Sequence, residues 1–125
     1  DGEMWTVEGM DFTGQAQSTA MRDVLITESE AFVVVYSIVQ SSSFGDVNDL
    51  VGLVRRVKDD DGVPLIIVAN HSNREEERVV EVGAGEEKAR LLGVPHMAVD
   101  DLADETAQSA VLQRVVCEAL ARRRS

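Results

Sequence analysis

The sequence predicts an α/β fold, a mostly parallel sheet with helices on both faces. Two apolar runs of strand length and the helical spacing between them carry that expectation. Residues 32–39 (Phe-Val-Val-Val-Tyr-Ser-Ile-Val) form the first run, and Pro64-Leu65-Ile66-Ile67-Val68-Ala69 the second. Neither alternates with polar residues, and continuous β-branched runs of this length read as strands buried on both faces. Between them Phe44, Val47, Leu50, Val51 and Val54 recur at helical spacing, and the helix runs out near residues 58–62. Strand and helix alternate in this way along the whole chain, the pattern of a parallel sheet with right-handed crossovers.

The remaining elements follow in order. Residues 4–10 alternate enough to form a strand, and Asp1-Gly2 before it is a hairpin-turn signal that implies a strand ahead of it. Asp11-Phe12-Thr13-Gly14-Gln15 comes next, then a helical segment with Met21, Val24 and Leu25 on one face. Residues 41–43 are a serine loop, and residues 72–81, with Glu75, Glu76 and Glu77, are a solvated loop. Residues 86–92 read as a short helix closed by Gly93, and 94–99 as a fourth strand. From Asp104 onwards Leu112, Val115, Val116 and Ala119 mark a final helix that ends in Arg122, Arg123 and Arg124, which suit a helix C-terminus. Cys117 falls off that apolar face.

Composition narrows the function. A length of 125 residues, 44% hydrophobic and 28% charged, suits one domain over 1–125. A net charge of -11 opposes any general grip on nucleic acid or anionic lipid, which need clustered Lys and Arg. One cysteine excludes an internal disulfide framework and any multi-cysteine metal site, so nothing points to an oxidising compartment and the cytoplasm is the default expectation. No run approaches the ~20 apolar residues of a membrane-spanning helix, so direct membrane insertion is not expected. The acidic start is not a targeting peptide, and there is no lipidation motif.

Open α/β sheets bind ligands in the crevice beyond the carboxyl ends of their strands, which draws attention to Asn70-His71-Ser72-Asn73. The order Val-Ala-Asn-His-Ser-Asn resembles a base-reading loop of Ras-like small GTPases, which implies a guanine ring here, whose two neighbouring N–H donors an ionised carboxylate accepts as a bidentate pair. Asn73 offers one acceptor and one donor, so one guanine donor would face an amide donor. Such an unpaired contact discriminates against the ligand. His71 can lie flat on a purine. A polar loop that only caps a strand is the competing reading.

The usual order of that loop is Asn-Lys-X-Asp; Asn70 matches, whereas His71 and Asn73 do not. The resemblance extends over almost the whole chain. It includes Asp11-Phe12-Thr13-Gly14-Gln15, Ala20-Met21-Arg22-Asp23, Arg55-Arg56-Val57-Lys58-Asp59 and Gly93-Val94-Pro95, in the right order and spacing. It implies a P-loop-NTPase fold of which the chain covers the C-terminal two-thirds, without the first two strands and first helix. It also implies GTP or GDP with Mg2+ as ligands of the complete domain. In the family the Asp of Asp-X-X-Gly-Gln lies behind the metal, the Gly amide senses the terminal phosphate and the Gln orients the attacking water. Asp11 would thus serve the metal, Gly14 the phosphate and Gln15 catalysis, with Asn70, His71, Asn73 and Asp101 at the base.

Three departures count against activity. Within these residues there is no Gly-X-X-X-X-Gly-Lys-Ser/Thr phosphate loop and no threonine-bearing switch. The base loop carries Asn73. Asp100-Asp101-Leu102 stands where the family has Ser-Ala-Lys, near a base carbonyl that wants donors, although a backbone amide can serve. Val82-Gly83-Ala84-Gly85-Glu86-Glu87-Lys88 mimics a phosphate loop but lacks its second Gly and Ser/Thr, carries repelling carboxylates, and reads as a helix start. His71 and His96 have no acid or cysteine at ligand or triad spacing.

The expectation is therefore a degenerate Ras-like domain that acts by contact with a protein effector or regulator and holds no nucleotide by itself. The alternative is a GTP-hydrolysing switch whose phosphate loop lies outside these residues, with altered base choice and, in the complete protein, a peripheral place at a membrane. A structural expectation accompanies both. Three successive right-handed crossovers put three helices on one face and leave the last helix alone on the other. In the family an early strand lies between the first two strands found here. A gap about 9.5 Å wide at ~4.8 Å per strand is thus expected between residues 4–10 and 32–39, or an upstream segment or partner subunit filling it.

Overall fold

The computed structural model describes the backbone of residues 2–16 and 19–124 and the side chains of residues 2–12 and 22–122. Its described elements, in chain order, are β1 (Glu3–Glu8), β2 (Asp11–Ala16), α1 (Thr19–Glu28), β3 (Ala31–Ser37), α2 (Ser41–Lys58), β4 (Leu65–Asn70), a turn of 3-10 helix (Glu75–Glu77), α3 (Val82–Leu92), β5 (His96–Ala98) and α4 (Glu105–Arg124). The strands form one mixed sheet in the order β2-β1-β3-β4-β5. The α/β class with helices on both faces is as the sequence predicts.

The centre of the sheet follows directly from the apolar runs. β3 and β4 are parallel, with Phe32 opposite Leu65 and Ser37 opposite Asn70, and β5 extends the sheet in parallel beyond β4. Successive side chains of β3 alternate between two cores. Phe32, Val34 and Tyr36 join Leu65, Ile67 and Ala69 beneath Ile26 of α1, Val47, Leu50, Val51 and Val54 of α2, and Ala89 of α3. Val33 and Val35 join Ile66, Val68 and Val7 beneath Val111, Val115 and Val116 of α4. Three helices therefore share one face and α4 lies on the other, as the crossover argument requires. Lys58, at the end of α2, donates through Nζ to the carbonyls of Thr27 (3.3 Å) and Ser29 (2.8 Å), a cation placed at the C-terminus of α1.

The start of the chain departs from the expectation. There is no gap beside β3: β1 is hydrogen-bonded to it directly and antiparallel, with Thr6 opposite Phe32 and Trp5 opposite Val33. The residues expected to continue the first strand turn back instead. Gly9, at φ 64°, opens a two-residue turn with Met10, the arrangement that lets a Gly-X pair close a hairpin, and residues 11–16 return as β2. Phe12 pairs with Val7 and Gly14 with Thr6, so Thr13 is the extra residue of a bulge. β1 thus fills the place beside β3 that the family resemblance reserves for an earlier strand.

The helix faces are corrected in one case. In α1 the fully buried residue is Ile26, whereas Val24 is 52% exposed; the Met21 side chain lies outside the described residues. The glycine-rich segment at 82–88 is a helix start, as predicted, and α3 begins earlier than expected, at Val82. Cys117 is exposed. The side chains of Arg123 and Arg124 lie outside the described residues, while Arg122 pairs with Asp60.

Candidate functional site

At the carboxyl ends of β3, β4 and β5 three loops meet, and Asn70 joins two of them. Its Oδ1 accepts the backbone N–H of His71 and that of Leu102, both at 2.9 Å. Both partners are donors, which fixes the orientation of the amide. The Nδ2 hydrogens are then the part of the side chain that a ligand acceptor can use. His71 adopts the left-handed region at φ 63°. Its Nδ1 lies 2.7 Å from Ser37 Oγ. Ser37 Oγ also accepts the Val39 N–H (3.3 Å), so its own hydrogen is available for Nδ1, and the ring is tethered to the end of β3.

The acidic residues of the last loop hold the loop itself. Ser72 donates to Asp100 Oδ1 at 2.8 Å, and the Ser72 amide donates to the Val99 carbonyl at 3.0 Å. Asp101 accepts the Ala103 N–H on Oδ1 (3.0 Å), and its carbonyl accepts the Asp104 N–H (3.0 Å). Asp104 in turn accepts the Ala107 N–H at the start of α4. Asp100 and Asp101 therefore act as acceptors for nearby serine and backbone groups. Asn73 is exposed at the rim of the same loops.

The other predicted residues stand elsewhere. Asp11 opens β2 opposite Glu8, one pair before Val7 meets Ala31 at the amino end of β3. Asn70 is opposite Ser37 at the carboxyl end of β3. The six residue steps from Ala31 to Ser37 correspond to about 20 Å along the strand. Gly14 and Gln15 pair with Thr6 and Trp5, again level with the first half of β3; the Gln15 side chain lies outside the described residues. The structure thus gathers Asn70, His71, Asn73 and Asp101 and does not bring Asp11 and Gly14 to them. Among the described residues no three acidic, histidine or cysteine side chains converge as a metal site.

Sequence reasoning missed a second polar cluster. Tyr36 Oη and His96 Nε2 are 2.9 Å apart, joining β3 to β5 across β4 and beneath α3. Gly85 of α3 lies against them: a Cβ there would meet Tyr36 Oη at 1.9 Å. Burial pushes the Tyr36 phenol up to about 12, with Arg78 opposing and Glu86 adding to the rise. Burial also lowers the His96 pKa, with Glu86 opposing. Gly85 and Ala89, one helical turn apart and both small, were the available signal of a close approach. Ser37 and the Leu102 amide were also unforeseen, since nothing in their local sequence marks them. A cleft of about 350 Å3 lined by Arg55, Pro64, Pro95 and Glu118 lies at the amino ends of β4 and β5, away from the base-type loops.

The α/β sheet, with an asparagine loop beyond the carboxyl end of a central strand, defines the class as that of a Ras-like G domain. The sequence model of the Ras family matches residues 1–119. The chain belongs to the Ras family, as a Ras-like small GTPase domain. Domains of this family generally use GTP or GDP with Mg2+. Asn70, the residue carried over as a base contact, has its Oδ1 engaged by the His71 and Leu102 amides. Among the described residues, Asp11 and Gly14, the candidates for the metal and phosphate half of such a ligand, lie level with the amino half of β3, away from Asn70. Among the described residues no helix is long and apolar enough to cross a membrane.

Proposed function

We propose that this chain is a degenerate Ras-like small GTPase domain, a signalling or interaction module that acts through a protein effector or regulator with impaired nucleotide binding. Asn73 carries the reading, because it presents an amide where a carboxylate would accept both guanine donors. The placement of Asp11 away from Asn70, and the use of Asp100 and Asp101 within their own loop, support it. The net charge of -11 argues against nucleic acid and anionic membranes as partners. A cytoplasmic place fits this composition. An upstream segment or a partner subunit on the sheet belongs to the same reading.

Titration of the chain with GTP or GDP and Mg2+ tests it. The expected result is no binding at micromolar nucleotide; a submicromolar dissociation constant would overturn the reading. The second reading is a GTP-hydrolysing switch completed by a phosphate loop outside these residues. Asn70 favours it, since its Oδ1 is held by two amides and its Nδ2 is presented to a purine acceptor.

A further inference from the structure

β3 and β4 end side by side, with Ser37 opposite Asn70, and the residue that follows β4 reaches back across that end. His71 Nδ1 lies 2.7 Å from Ser37 Oγ. Both partners are also held at their backbones. The Ser37 N–H donates to Ser43 Oγ at 2.9 Å, and that hydroxyl donates to the Gln40 carbonyl at 2.7 Å, which anchors the end of β3 on the start of α2. The His71 N–H is taken by Asn70 Oδ1, and its φ of 63° lies in a region that few residues other than glycine adopt. A ring fixed at its backbone and at one nitrogen is oriented before any ligand arrives.

The partner decides the chemistry of the ring. A serine hydroxyl has a single hydrogen to give. Ser37 Oγ accepts the Val39 N–H at 3.3 Å, and among the described residues His71 Nδ1 is the acceptor its own hydrogen meets. An uncharged imidazole that accepts at Nδ1 carries its hydrogen at Nε2, on the side of the ring away from Ser37. The other tautomer sets an Nδ1–H against the hydroxyl, whose hydrogen then loses its acceptor. Among the described residues Nε2 has no hydrogen-bond partner. Asn70 behaves alike, since its Oδ1 is used by two amides and its Nδ2 hydrogens remain. Two consecutive side chains thus offer uncharged donors where the family resemblance places an asparagine and a lysine.

We propose that Ser37 is a positioning residue of this loop: it fixes His71 as the Nε2–H tautomer, and His71 beside Asn70 then reads the ring carbonyl of an oxopurine through an uncharged donor. The inference deepens the purine reading of Asn70 and rests on it. Such a donor discriminates by the presence of the carbonyl, because a ligand without one leaves the N–H unpaired. A lysine ammonium on a flexible stem has no such fixed direction.

The test uses the full chain, nitrogen NMR of its histidine rings at pH 8, and two nucleosides. The chain has two histidines, so His96→Gln assigns the ring signals of His71. The unmodified protein is expected to show His71 as the Nε2–H tautomer. Ser37→Ala is expected to bring in the Nδ1–H form, and Ser37→Thr, which keeps the hydroxyl, to restore the original pattern. Inosine and purine riboside, which differ by the ring carbonyl, are then titrated while the His71 ring and the Asn70 side-chain amide are observed. Inosine is expected to bind at least about threefold tighter, the scale of one uncharged hydrogen bond, with that preference lost in Ser37→Ala and kept in Ser37→Thr. An Nδ1–H ring in the unmodified protein, a tautomer indifferent to Ser37→Ala, or an inosine preference that survives Ser37→Ala would each overturn the proposal. The unmodified spectrum needs no variant, so it decides the first point even where Ser37→Ala does not fold. An Nδ1–H ring beside an Asn70 amide that responds to nucleoside removes the proposal alone. No response of either residue to either nucleoside removes the purine reading, and the proposal with it.

Discussion

Asn70 Oδ1 holds the Leu102 amide at 2.9 Å, and so one side chain at the end of β4 fixes the loop that leads from β5 into α4. The same oxygen holds the His71 amide, which supports the left-handed backbone there. A residue carried over from the family as a base contact is thus also a structural clamp between two loops.

Substitution separates the two roles. Asn70→Ala is expected to destabilise the domain by about 1–3 kcal/mol, because two partly buried amides lose their acceptor. Asn70→Asp keeps the acceptor and should cost less, while removing the Nδ2 donors. Urea unfolding of the three proteins checks this; equal losses for both variants would show that the acceptor is not what matters.

Gly85 is the second position where packing sets a sharp limit. A methyl group there meets Tyr36 Oη at 1.9 Å and His96 Nε2 at 2.8 Å, so α3 or the pair beneath it must move. Gly85→Ala is expected to cost about 1–3 kcal/mol by overpacking, although alanine is the better helix former. Tyr36→Phe removes the nearest atom, so the double variant should lose less than the sum of the single ones. Strict additivity in denaturant unfolding would contradict the contact.

These two sites show what the sequence could and could not convey. The β3 and β4 runs and the 3.6-residue spacing of α2 and α4 were legible because burial of Phe32, Ile67, Val47 and Val115 needs no knowledge of distant partners. The hairpin was not. Asp-Phe-Thr-Gly-Gln carries little alternation, and Gly9 reads as the tail of a strand until its positive φ is known. In α1 a shift of the buried face moved the core from Val24 to Ile26. The Asn70 loop was legible as a meeting point of loops from its place after a buried strand. Tyr36 and His96 are 60 residues apart, and nothing local in either announces the other.

That pair also sets a pH dependence. Burial depresses His96 from its ordinary value of 6.5, so as pH falls the unfolded chain takes up this proton first. The contribution is present above about 6.5 and is lost as pH drops below it. Tyr36 has the opposite sign: with its pKa raised from 10 to about 12, its contribution is present below 10 and is lost between 10 and 12. Unfolding free energy measured from pH 8 to 5 should fall below pH 6.5, and His96→Gln should flatten that fall. An unchanged slope in the variant would assign the effect elsewhere.

The last prediction concerns the base. Asn73 lies exposed on the loop that also carries Asn70, and in the base-reading role that the family resemblance gives it, its amide would set a donor against the exocyclic amino group of guanine. Xanthine has a carbonyl at that position, which the Asn73 amide can satisfy. If residues ahead of Asp1 supply a phosphate loop, the intact protein is expected to prefer xanthine to guanine nucleotides. Asn73→Asp should reverse that order, because the carboxylate then accepts both guanine donors. One charge-assisted bond of the pair is worth ~1.5–3 kcal/mol, or about ten- to a hundredfold in affinity. Competition between GDP and xanthosine diphosphate in the two proteins measures the ratio directly. Tighter guanine binding with Asn73 in place would show that another donor or acceptor of these loops reads the base.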